Sequence, residues 1–317
     1  MAFWKSKKES LETPAGIVER LAFEGLLEQR RARRWNVFFK MLFALYLLFF
    51  LVVFVAGKYT TSIGDHTALV NLTGVIGPEA DVDADSVIDS LQRAFESKDT
   101  KGVVLKINSP GGSPVQSNRM YQEIRRLREK YPGTGLYAVV DDICASGGYY
   151  VAAAADEIYA DKGSLVGSIG VIMQGFGFVG TMDKLGVERR LITAGKNKGM
   201  LDPFSPARPA DEIYAKDLVN SVHQQFIDAV KQGRGDRLVE TDDTFSGLLW
   251  TGEQAKELGL VDEFGTVASV ARDIIGEETI VDYSPRANFL EQFTEQLGIA
   301  IGKTLSLRMQ NQHVQLR

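Results

Sequence analysis

The 317-residue sequence is poor in the residues that build metal centres and disulfides. It has one cysteine, Cys144, and three scattered histidines, His66, His223 and His313. A lone thiol forms no internal disulfide and no thiolate cluster, and the histidines lack metal-ligand spacing, so no zinc centre is expected. The part after residue 58 carries no broad basic stretch and supplies the mild acidity behind a net charge of −5, so no nucleic-acid partner is expected. No repeat on the scale of a domain is visible. What the chain does contain, 44% hydrophobic and 24% charged residues, is enough to bury a sizeable core.

One long apolar run stands near the N-terminus. Residues 37–56, Val37 to Ala56, match the roughly 20 residues that a helix needs to cross the hydrocarbon of a bilayer. Lys40 can snorkel, and Trp35 and Tyr59 stand where interfacial aromatics belong. Arg30, Arg31, Arg33 and Arg34 precede the run and only Lys58 follows it closely, which puts residues 1–36 in the cytoplasm and the rest outside. No Ala-x-Ala site follows, so the run is read as an uncleaved signal-anchor rather than a removable signal peptide. Residues 1–34 are read as a weakly ordered tail in preference to an interfacial helix, and residues 57–66 as a linker.

From residue 67 to 285 strands and helices alternate, predicting an α/β fold with largely parallel strands. Strands are expected at Ala68–Ile76, Gly102–Ile107, Leu136–Val140, Glu157–Ala160, the end of Lys162–Met173 and near Leu191, and Thr251–Asp262 reads as a capped helix turning into a last strand. Helices are expected after Asp81, from Ser113-Pro114 to Tyr131, after Ser146, near Met182 and from Ala210 to Gln232. Residues 286–317 form a tail near helical spacing, suited to an amphipathic helix docking on a neighbour.

Ser146, in Ala145-Ser-Gly-Gly148, falls at a strand-to-helix turn. There it either caps a glycine-softened turn or acts as a nucleophile, with the Gly147 or Gly148 N–H free for an oxyanion. A serine nucleophile needs a base. No histidine is placed convincingly, although His66 and His223 remain open. Lys196 and Lys198, in a loop with Met200, Leu201, Pro203 and Phe204, are either surface charges or a base made neutral by desolvation. Asn108-Ser-Pro-Gly-Gly112 is either a helix-initiating turn or a loop whose N–H groups face a ligand. Cys144, two residues before the turn, points back into the strand end.

Taken together, Asn-Ser-Pro-Gly-Gly at 108–112, Ala-Ser-Gly-Gly-Tyr-Tyr at 145–150, Gly-Ser-Ile-Gly-Val at 167–171 and Lys-Gly-Met-Leu-Asp-Pro-Phe at 198–204 resemble the signal peptide peptidase A (SppA/SohB) family of Ser–Lys serine proteases. The likeness covers roughly residues 60–275. It implies a ClpP/crotonase-like repeated ββα superhelix, preceded here by one transmembrane helix. It further implies Ser146 as nucleophile, Lys198 as general base, Ser168 as the hydroxyl that orients the lysine, and an oxyanion hole from Gly147 and the Gly111-Gly112 turn. Neither metal nor organic cofactor is implied. The implied substrates are remnant signal peptides, met by a homo-oligomeric ring in which neighbours complete each site on the periplasmic face of the inner membrane. Acyl-CoA chemistry on the same fold and a non-catalytic membrane scaffold are the competing readings.

Overall fold

A computed structural model of the chain describes residues 14–56 and 64–285. It divides into two compact units, Met1–Ile63 and Gly64–Arg317. In the first, helix α1 runs unbroken from Pro14 to Ala56. The apolar run is thus the C-terminal part of a longer helix, and the stretch from Pro14 that was expected as a loose tail is helical as well. Straight-chain residues such as Leu, Glu, Gln and Arg fill that stretch, and all favour helix. Residues 25–52 are long and apolar enough to cross a membrane, and their large side chains are exposed.

The second unit is built on an eight-stranded sheet. The strands are β1 His66–Thr73, β2 Thr100–Ser109, β3 Gly135–Ala145, β4 Glu157–Ala160, β5 Leu165–Gly167, β6 Leu249–Thr251, β7 Glu263–Phe264 and β8 Ile280–Asp282, in the order β6-β5-β3-β2-β1-β8, with β4 joining β3 to β7. Every pairing is parallel except β5 with β6. In β2, Val103, Val104, Leu105 and Ile107 are all fully buried, the continuous apolar run of a parallel strand covered on both faces.

Helices α2 (Ala84–Glu96) and α3 (Pro114–Lys130) return the chain between β1, β2 and β3 and cover one face. Asp83 caps α2 by accepting the Ser86 N–H, and that bond holds its carboxyl below the usual range. Ser113 caps α3, and Pro114 takes its first turn, where the missing N–H costs nothing. The same face receives α4 (Gly147–Ala152) and the end of α6 (Pro209–Arg234); Tyr150 stacks on Phe226 at 4.9 Å. On the opposite face Val104, Val139 and Tyr159 pack against Val270, in the turn that follows α8 (Val267–Ser269).

Strand β3 bends the sheet. Its first half pairs with β4 through residues 137–139 and its second with β5 through residues 143–145, while the β2 register slips between Ile107 and Ser109. This parallel-dominated α/β architecture is the ClpP/crotonase-like arrangement. Two expected strands are absent or shortened. Residues 168–178 leave the sheet after Gly167, and the stretch around Leu191 is irregular, because both run outside any edge that could pair with them. Helices α5 (Val179–Leu185) and α7 (Gly252–Glu257, closed by a Thr251–Gln254 capping box) lie where sequence placed them. The strand expected at the end of the Thr251–Asp262 stretch is β7, and one further strand, β8, follows it. The proposed docking helix at 286–317 lies outside the described residues.

Candidate active site

The end of β3 delivers Ser146. Its backbone stands at φ 51° and ψ −122°, a conformation that glycine adopts freely and serine does not. The turn is fixed from both sides: the Ser146 N–H donates to the Gly167 carbonyl at 2.8 Å, and its own carbonyl accepts the Tyr150 N–H at 2.9 Å. The hydroxyl, by contrast, has no hydrogen-bond partner among the described residues. Ser146 therefore fails to cap α4 with its side chain, which removes the observation that a merely structural serine would need.

The Asn108–Gly112 loop closes over this turn. Gly111 (φ 101°) and Gly112 (φ 147°) both occupy positive-φ backbone, and a Cβ on Gly111 would come within 2.7 Å of Gly147 N and Ser146 Cβ. One on Gly112 would strike the Ile76 carbonyl at 2.0 Å, so both positions require glycine. The two amides differ. The Gly111 N–H donates to Ser109 Oγ at 3.1 Å, and Ser109 in turn donates to the Gly74 carbonyl at 2.6 Å. The N–H groups of Gly112 and Gly147 have no acceptor among the described residues, and Gly112 N lies 3.2 Å from the Cβ position of Gly147. The structure thus brings Gly112 and Gly147 together as free donors beside Ser146 and diverts Gly111.

Ser168 follows directly from the β3–β5 register, in which Ala145 faces Gly167. It also has positive φ, 49°, and its N–H donates to the Leu248 carbonyl at 2.7 Å. Ser146 and Ser168 are therefore neighbours on adjoining chain segments. Lys198 makes no hydrogen bond to either serine. It sits exposed on the arm formed by residues 171–208, held locally by its N–H to the Gly195 carbonyl. The arm is knit to itself: Phe178 stacks on Phe204 at 5.4 Å, and Asp202 accepts from Ser205 and pairs with Arg189. The Ser205 hydroxyl chiefly keeps the Asp202 carboxyl below its usual range. Outward the arm shows Ile172, Phe176 and Ile192, which are 83%, 82% and 97% exposed.

The histidines left open by sequence are occupied elsewhere. His66 is buried at the β1–β8 edge against Tyr283 and Thr100, and His223 meets the Ile169 carbonyl at 3.0 Å. Cys144 is fully buried, and burial pushes its thiol well above the ordinary range, so it is no nucleophile. Sequence reasoning missed Ser109 and Ser117. Ser117 Oγ lies 2.5 Å from the Cβ position of Gly147 and so crowds the donor turn, while Ser109 selects which amide stays free. Ser109 lay within the quoted motif; Ser117, one turn into α3, gave no signal. Among the described residues no His, Cys, Asp and Glu group is arranged to hold a metal ion.

Comparison with known proteins gives the family. Residues 128–278 match peptidase family S49. The chain is 46% identical over 188 residues to a Na(+)/H(+) antiporter NhaA of Brucella melitensis, a match covering 59% of this chain but spanning only a quarter of that protein's length. It is 35% identical over 234 residues to a putative protease of Methanocaldococcus jannaschii, covering 72% of this chain and 74% of the relative. A putative signal peptide peptidase SppA of Enterococcus faecium is 30% identical over 213 residues, 67% of this chain and 60% of that one. The chain belongs to peptidase family S49, the family of the SppA/SohB serine proteases.

Proposed function

We propose that the chain is a membrane-anchored serine endopeptidase with a Ser–Lys dyad, cutting remnant signal peptides and similar membrane-associated peptides. The observation that carries this reading is the strained Ser146 with an unpartnered hydroxyl beside two unpartnered amides, Gly112 and Gly147. A neutral Lys198 amine accepts the Ser146 proton as the hydroxyl oxygen bonds to the substrate carbonyl carbon. The oxyanion is held by the two amides, and Ser168 orients the lysine. Collapse of the tetrahedral intermediate breaks the C–N bond, the lysine ammonium returns its proton to the leaving amine, and water then hydrolyses the acyl-serine.

Because Lys198 is exposed, makes no hydrogen bond to Ser146 and belongs to an arm with bare apolar side chains, the base on this reading is supplied by a neighbouring copy of the chain. Docking of the arm covers Ile172, Phe176 and Ile192 and desolvates the amine, which favours its neutral form. Exposed Val75, Val115 and Leu248 adjoin the glycine loop and the Ser168 turn and suit apolar, extended peptides, which can add as a strand there. Helix α1 anchors the assembly, with the unit that begins at Gly64 on the periplasmic side of the inner membrane by the positive-inside rule.

The test uses the full chain in detergent, unchanged or as Ser146→Ala or Lys198→Ala, incubated with a synthetic signal peptide and with a folded soluble protein. The parent is expected to cut the peptide and spare the folded protein, and each substitution to abolish cutting. Cutting by Ser146→Ala at the parental rate removes Ser146 as nucleophile. An intact oligomer in which no version cuts favours the scaffold reading.

A further inference from the structure

Helix α1 carries a surface that the peptidase reading leaves unused. Arg30, Arg33, Arg34, Val37, Phe38 and Met41 follow the i, i+3, i+4, i+7, i+8, i+11 spacing of a single helical stripe. They line one shallow groove of about 400 Å³. The groove is basic in its first turn and apolar in the next two. None of the three arginines has an ion-pair or hydrogen-bond partner among the described residues. Glu28 offers no neutralisation, because two residues before Arg30 is about 200° around the helix, on the far side.

We infer that this groove binds an anionic glycerophospholipid, its headgroup phosphate between Arg30, Arg33 and Arg34 and its first acyl carbons along Val37, Phe38 and Met41. The order along the axis is the order of a lipid: charge outermost, then hydrocarbon. Guanidinium groups offer forked donors to phosphate oxygens, and helical side chains lean toward the N-terminus, which carries the arginines away from the hydrocarbon and toward the headgroup layer. A soluble phosphate would satisfy the arginines and leave the apolar half of the groove empty. The inference rests on the reading of α1 as a membrane anchor.

The full chain, delipidated in detergent, is titrated with phosphatidylglycerol or phosphatidylcholine, and bound lipid is counted by native mass spectrometry. The parent is expected to prefer phosphatidylglycerol. The variant Arg30→Gln/Arg33→Gln/Arg34→Gln, altered only on an exposed helix face, is expected to bind it about a hundredfold more weakly, roughly fivefold for each arginine, with phosphatidylcholine unchanged. Equal binding of both lipids by the parent, or parental binding of phosphatidylglycerol by the variant, overturns the site. Displacement of the lipid by millimolar inorganic phosphate overturns the lipid as occupant. Carbonate extraction of membranes separates the two readings: a chain that comes off refutes the anchor and the lipid site with it, and one that stays without lipid preference refutes the lipid site only.

Discussion

Ser146 is held where a serine is uncomfortable, and the cost of that conformation is measurable. A non-glycine residue in such backbone costs about 1–3 kcal/mol, and the cost persists only where the surroundings dictate the conformation. Here the Gly167 carbonyl and the Tyr150 N–H dictate it. Ser146→Gly is therefore expected to raise stability above that of Ser146→Ala by about 1 kcal/mol, because alanine keeps the Cβ that is strained and glycine loses it. Urea unfolding of the two variants checks this, and an alanine variant at least as stable as the glycine variant contradicts it. The neighbouring amides show the same economy: one serine hydroxyl, Ser109, engages Gly111 and leaves Gly112 free.

Helix α4 has six residues, too short to hold itself, so its position depends on what it touches. Tyr149 is fully buried and donates to the Leu260 carbonyl at 2.8 Å, which ties the turn to the segment 259–262. That segment is fastened by Arg234, buried to 1% exposure, through a two-pronged bond to Asp262 at 2.8 Å, with Arg237 and the Ile158 N–H adding to the same carboxylate. Burial opposes ionisation of Asp262, yet the bonds from Arg234 prevail and hold its carboxyl below the usual range. Between that depressed value and the ordinary one, near 4, the unfolded chain binds the proton first. The pair's contribution is thus complete above about pH 4 and is lost as pH falls through the folded value. Arg234→Met should cost about 3–5 kcal/mol at neutral pH and less in acid. A denaturation series at both pH values measures it, and a loss independent of pH contradicts the assignment. None of this was legible in the sequence, where Arg234 and Asp262 are 28 residues apart. The elements with local signals were legible: Ser113-Pro114 starting α3, the β-branched run of β2, the serine-glycine turn of α4. The arm was misread in part, since apolar residues near Leu191 look like a strand until it is known that no sheet edge lies beside them.

The proposed dyad needs Lys198 at Ser146, and the exposed lysine makes no hydrogen bond to that serine within one chain. The sequence motifs name both residues, and on the proposed reading they do not record which copy of the chain supplies each. The exposed apolar side chains of the arm, Ile172, Phe176 and Ile192, are the surface that a second copy would cover on that reading. Inactive Ser146→Ala and inactive Lys198→Ala subunits each retain what the other lacks. Mixed in equal amounts and co-assembled, they should recover about a quarter of the parental rate, since each active site then needs an intact serine on one copy and an intact lysine on the next. Recovery near that level, with neither variant active alone, is expected. Co-assembly that leaves the mixture as inactive as its parts would contradict a lysine supplied by a neighbouring copy.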